Sequence, residues 1–215
     1  MAAVNPPMPP AYAGLVRRTV RFAAVSLVVG LLLGVASTEA QKRHRYAERP
    51  GVVEGDRRVA LDLPPGLMWE ATIDLRISHG HFVLLGAVVP LCLVGALALV
   101  HAAGGGAASP GVLRASEVLY VVGATGAMAL VLYKGVHLVA HVRGGDFDLA
   151  RAHATLFGGS RLLKGLAYGV SHTLLAAGAG LFAWALWGAA GSIGRGARAD
   201  GAAEGAAAPG ETAPG

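Results

Sequence analysis

Four long apolar runs divide the chain, at about Phe22 to Ala36, Phe82 to Ala103, Val118 to Ala140 and Leu166 to Ala190. Each approaches the roughly 20 residues that an α-helix needs to cross about 30 Å of hydrocarbon. Inside a bilayer the backbone must satisfy its own hydrogen bonds, so the pattern predicts an all-α, four-helix transmembrane bundle running up-down-up-down. The spans are expected at about 18–38, 78–103, 116–141 and 162–189. The flanking segments 1–14 and 191–215 lack apolar periodicity and are rich in Ala, Gly and Pro; both are expected to be disordered.

Composition sharpens this picture. Of 215 residues, 54% are hydrophobic and only 14% charged, too little polar surface to coat an ordinary soluble domain. The segment from Thr38 to Ser78 mixes seven basic with seven acidic residues and carries RPG and LPPG turn signals, so it reads as a structured loop and not a polybasic lipid clamp. HAAGGGAASPG forms a short flexible second loop, and RGGDFDLARAHATLFGGS leaves room for one amphipathic turn at the interface. The net charge of +5 comes largely from juxtamembrane arginines facing lipid headgroups, and no basic stripe interleaved with aromatics points to nucleic acid. The lone Cys92 forms no intrachain disulfide and reads as a packing residue.

The first span admits a second reading. Arg17, Arg18 and Arg21, a short apolar run and the small-residue stretch up to Ala40 also describe a secretory signal peptide. Gly30 and Gly34 in GLLLG favour a retained helix that another helix approaches closely. Orientation rules conflict, because the arginines before span one favour a cytoplasmic N-terminus, whereas the Lys and Arg count favours the first and third loops inside. No Walker loop, GxGxxG, GxSxG, HExxH or CxxC occurs, so soluble-enzyme chemistry has no foothold and no residue is assigned a catalytic role.

The histidines carry the candidate chemistry. In alternating spans, the start of span two, the end of span three and the start of span four share one side. His79 and His81 open span two, His137 and His141 close span three, and His172 lies early in span four; His101 belongs to the other edge. With Arg76, Arg143 and Lys164 as the waterline and about 1.5 Å per residue, His81, His137 and His172 fall roughly 7, 9 and 12 Å inward. His79 and His81 stand about 200° apart on a helix, so at most one of them faces inward, and the deeper His81 is the expected one. Lys134, His137 and His141 share a stripe, as do Tyr168 and His172. Glu39 closes the layer from span one. Polar groups in hydrocarbon need partners, and bundles build cofactor sites from such convergent side chains. Beside this stand blander expectations: His79, His101 and His141 as solvated interface groups, Lys134 as a snorkelling cation, and Tyr120, Tyr133, Trp184 and Trp187 as belt or packing aromatics.

HGHFVLLG, LYVVGATGAMALVLYKGVHLV and GLAYGVSHTLLAAGAGLFAWAL resemble a small, uncharacterised four-helix bacterial membrane family. Its hallmark is a His-Thr-His-x-x-x-Leu-Gly second helix and a Gly-x-x-His fourth helix, written here as SHGHFVLLG and YGVSH, with Gly80 in place of the Thr. The second helix is also similar, more distantly, to the haem-ligating helix of haem-copper oxidase and nitric oxide reductase catalytic subunits. The resemblance implies a multi-pass protein of the bacterial inner membrane with His81 (or His79) and His172 as ligand positions and Gly86 making room beside them. His137 and His141 lie outside that pattern.

Two classes of function follow. The first is a single b-type haem on His81 and His172, with His137 as substitute or second partner, His79 as the alternative on span two, and Gly86, Gly135 and Gly169 clearing space. The same groups suit a non-haem Fe, Cu or Zn held by His81, His137 and His172 with Glu39. One site on one leaflet cannot carry electrons across the bilayer, so a redox or respiratory role would need a quinol, a partner subunit or a gas molecule at the open edge; the chain is also compatible with a homo-oligomer. The second class is a non-catalytic membrane scaffold or accessory protein whose histidines hydrogen-bond within the bundle. A transporter lacks a broken-helix or inverted-repeat signal.

Overall fold

The computed structural model describes residues 8–47 and 66–193. Its elements are α1 (Pro10–Ala47), α2 (Leu67–Val83), a π-helical turn (Leu84–Val88), α3 (Val89–Ala102), α4 (Pro110–Arg143), α5 (Leu149–Thr155), a 3₁₀ turn (Leu156–Gly159) and α6 (Arg161–Ala190). Four helices are long and apolar enough to cross a membrane, the second formed by α2, the π turn and α3 in one run of 36 residues. No more than a third of each apolar window is buried within the chain, so most of its apolar side chains face outward. That inside-out distribution suits lipid as the solvent, and the chain is a multi-pass membrane protein.

Three apolar layers follow one another along the bundle. Tyr12, Leu15, Val94, Leu97, Leu113 and Phe182 fill one end. Tyr120, Ala124 and Met128 form the middle with Phe22, Phe82 and Leu175 around them, and Leu67, Met68, Ala71, Leu138, Val142, Leu149 and Ala152 fill the other end. Backbone-close contacts fix the register. A Cβ on Gly135 would meet Leu75 N at 2.7 Å, one on Gly123 would meet Leu175 N at 2.2 Å, and one on Gly178 would meet Tyr120 N at 2.3 Å. Glycine is required at these positions because helix backbones touch there.

The structure departs from the sequence expectations at several boundaries. Pro10–Gly14, expected within a disordered N-terminus, belong to α1, where Tyr12 is buried and its hydroxyl accepts from Ala108 N–H at 2.7 Å. The second span starts at Leu67, eleven residues before the expected 78. Residues 1–7, 48–65 and 194–215, including most of the expected first loop and tail, lie outside the described residues. Cys92 is exposed instead of packed inside. The π turn has a sequence cause: Pro90 has no N–H for the Gly86 carbonyl four residues earlier, and the register widens so that Val89 N–H bonds Leu84 O. Leu85 O in that turn accepts from Tyr120 OH at 2.8 Å.

Charges bracket an uncharged slab. On α1, Arg21 and Glu39 lie 18 residues apart with no charge between them, and both are exposed; that is about 27 Å along the axis. On α4, Glu117 and Lys134 are 17 residues apart, again with no charge between, or about 26 Å. Both spans match a hydrocarbon core of about 30 Å. The helices are longer than the slab, so α2, α4 and α5 build a helical cap beyond the Lys134 level.

Candidate functional site

The α1–α2 contact places the first histidine. Gly30 and Gly34 open a groove on α1, into which Phe82, Val83 and the His79 ring fit; a Cβ on Gly34 would meet His79 Nδ1 at 3.0 Å. The ring donates Nδ1–H to Gly30 O at 2.7 Å. His79 therefore faces the bundle, and His81, about 200° round the helix, turns away from α1. This reverses the expectation from depth: the shallower histidine packs because the glycine groove lies opposite it. His81 folds back to donate Nδ1–H to Ile77 O at 2.9 Å, and His172 does the same to Tyr168 O at 2.8 Å.

At the cap end, Lys134 and Asp74 pair at 3.1 Å between α4 and α2, so Lys134 does not snorkel freely. Three residues outward, His137 donates Nε2–H to Ala152 O at 3.0 Å and lies 3.1 Å from Thr155 Oγ1. One turn on, His141 donates Nδ1–H to Asp146 at 3.2 Å, and the two rings stand 4.5 Å apart. Arg151 binds the same Asp146 carboxylate at 2.7 Å. The Arg151 side chain, with help from Asp148 N–H and His141, holds Asp146 down to about 2. These bonds fasten α5 to the end of α4. His153 on α5 is kept below its ordinary value by burial first and by Lys134 second, with Asp74 opposing.

Depth separates the histidines. Gly135 abuts Leu75, and Gly126 abuts Ser171. Taking Lys134–Asp74 as the waterline, His81 lies roughly 10 Å and His172 roughly 12 Å inside it, whereas His137 lies roughly 5 Å and His141 roughly 10 Å outside. The expected common layer is therefore split. His81 and His172 share a level, and His137 belongs to the cap because α4 runs on beyond the hydrocarbon. Tyr133, Phe157 and Tyr168 link the two levels, with ring centroids 5.9 Å from His137 to Tyr133, 5.1 Å on to Phe157, 6.3 Å to Tyr168 and 6.2 Å to His172.

Among the described residues no three His, Cys, Asp or Glu side chains come within reach of one metal ion. The expected set of His81, His137, His172 and Glu39 is not assembled. The glycines expected to clear cofactor space do other work. Gly86 is filled by Ser26, whose Cβ lies 2.4 Å from where its own would stand; Gly135 is filled by the α2 backbone, and Gly169 faces open space.

Sequence reasoning missed two pairings. Arg18 on α1 grips Glu117 on α4 through both carboxylate oxygens at 2.7 and 2.8 Å, and Arg114 adds a third bond at 3.0 Å. The other is Asp74–Lys134. In both, opposite charges flank different spans at one end, a signal the same parity argument used for the histidines would have found. At this first end His101 Nε2 is buried without a partner among the described residues, its ring edge-on to Tyr12 at 5.7 Å, so it is not the solvated group expected. No family model, no curated protein and no solved structure matches the chain.

Proposed function

We propose that the chain is a non-catalytic membrane scaffold or accessory protein, with its histidines serving as ties between helices. The observation that carries this is the engagement of His79, His137 and His141 by Gly30 O, Ala152 O and Asp146, each on another element or across a turn. A half-buried imidazole that donates to a backbone carbonyl contributes about 1 kcal/mol net and costs more when one partner is removed. The two carbonyl ties of His79 and His137, the His141–Asp146 contact, two ion pairs and the glycine contacts lock four helices and a cap together, which suits a platform for other membrane components.

A second reading, a haem b on His81 and His172, has one observation in its favour. Both rings give Nδ1–H to their own helix, so each Nε2 keeps its lone pair and has no partner among the described residues. A carbonyl bond of this kind on the other ring nitrogen fixes the tautomer of ligating histidines, and the two rings share a depth. Against it, His81 faces away from α1, and α4 packs against both α2 and α6, which bear the two rings.

The detergent-purified protein separates the readings by absorption and metal analysis. The scaffold reading expects a colourless, metal-free protein. A Soret band that shifts on dithionite reduction and vanishes in His172→Ala establishes the haem reading in its place.

A further inference from the structure

The glycines of this bundle differ in what a side chain would meet. Gly86, Gly123, Gly135 and Gly178 each touch a neighbouring element more closely than a Cβ allows. Gly80, Gly95, Gly165, Gly169, Gly180 and Gly188 meet nothing within 4 Å, and of these Gly165 and Gly169 lie one turn apart on α6. Glycine weakens a helix interior, so two of them there have no explanation in intrachain packing. They line an open groove with Leu166, Val170 and Thr173 on the outer side of α6.

This face is not purely apolar. His172 is exposed and its Nε2 has no partner among the described residues; the Thr173 hydroxyl has none either. Both lie roughly 12 Å inside the waterline. Acyl chains covering the groove would leave an acceptor and a donor unsatisfied in hydrocarbon, where such groups are costly.

From the groove axis at Gly169, His172 lies about 60° to one side and Thr173 about 40° to the other. In a pair of parallel helices related by a two-fold axis along the membrane normal, the left flank of one faces the right flank of the other. Adjacent residues differ by only about 1.5 Å in height. Each Thr173 hydroxyl then reaches the bare His172 Nε2 of the second copy, twice per pair, while Gly165 and Gly169 let the backbones approach. We infer that α6 pairs with the α6 of a second copy of this chain through the Gly165–Gly169–Thr173 groove, sealed by reciprocal Thr173–His172 hydrogen bonds. This rests on the scaffold reading in needing His172 free of haem.

The test is cross-linking in native membranes in a Cys92→Ala background. Gly169→Cys should give a disulfide-linked dimer on oxidation, whereas Val136→Cys, exposed on α4, should not. In lipid bicelles the wild-type chain should be dimeric and Gly169→Ile monomeric with unchanged helical circular dichroism, since a side chain at 169 meets nothing in its own copy. Thr173→Val and His172→Phe should each weaken dimerisation roughly 3- to 30-fold, and the double variant no further, because either removes the same bonds. Equal cross-linking at 169 and 136, a dimeric Gly169→Ile, or indifference to Thr173→Val overturns the pairing. A colourless monomer sinks this inference alone; a monomer with a Soret band sinks the scaffold reading with it.

Discussion

Single residues decide which imidazole is structural. His79 and His81 are indistinguishable by composition, and depth alone points to His81. What decides is the pair Gly30 and Gly34 on a different helix, 45 or more residues away, whose groove receives His79. The expected outcome is that His79→Ala lowers stability by roughly 1–3 kcal/mol, whereas His81→Ala changes it by less than about 0.5 kcal/mol. Denaturant unfolding in mixed micelles measures both. Gly123→Leu should be worse than either, because its Cβ would stand 2.2 Å from Leu175 N and the α4 and α6 backbones must part; loss of the folded helical signal on mild heating is the readout. The Gly-x-x-x-Gly spacing in span one was legible; the partner of Gly123 was not, since lone glycines in an Ala- and Gly-rich chain carry no distance information.

At the scale of elements, the apolar runs located four helices, but not how far they extend. Hydropathy does not mark where the hydrocarbon ends along a helix, so the polar start of α2 was read as loop, while α4 beyond Lys134 was read as span and His137 was placed inside the membrane instead of in the cap. The Lys134–Asp74 pair joins these continuations. Lys134→Met leaves a buried carboxylate unpaired and should destabilise by roughly 1–3 kcal/mol, more than Lys134→Met with Asp74→Leu, where both charges go; a double-mutant cycle measures the difference. The cap also carries a pH dependence. Burial keeps His153 below its usual 6.5, so the unfolded chain binds that proton more readily than the folded one. Stability is therefore full above 6.5 and falls as pH drops through 6.5 toward the lowered value. Hydrogen exchange of α5 amides between pH 7.5 and about 5 should show increasing opening on acidification, and His153→Gln should remove most of that slope.

For the molecule as a whole, where the bilayer ends decides the role of each histidine. Two independent brackets, Arg21 to Glu39 on α1 and Glu117 to Lys134 on α4, give slabs of about 27 and 26 Å. They leave the His137–His141–Asp146 cluster in water and put His81 and His172 in lipid, and everything said of the histidines follows from that division. The most direct test is water accessibility along the outer face of α4, using single cysteines at Val122, Ala129, Val136 and Ala140, all exposed, in a Cys92→Ala background in native membranes. A membrane-impermeant maleimide, applied to both faces of opened vesicles, should label Ala140→Cys and leave Val122→Cys and Ala129→Cys unmodified, with the boundary falling near Lys134. Protection extending to Ala140 would return His137 and His141 to the hydrocarbon and contradict the account.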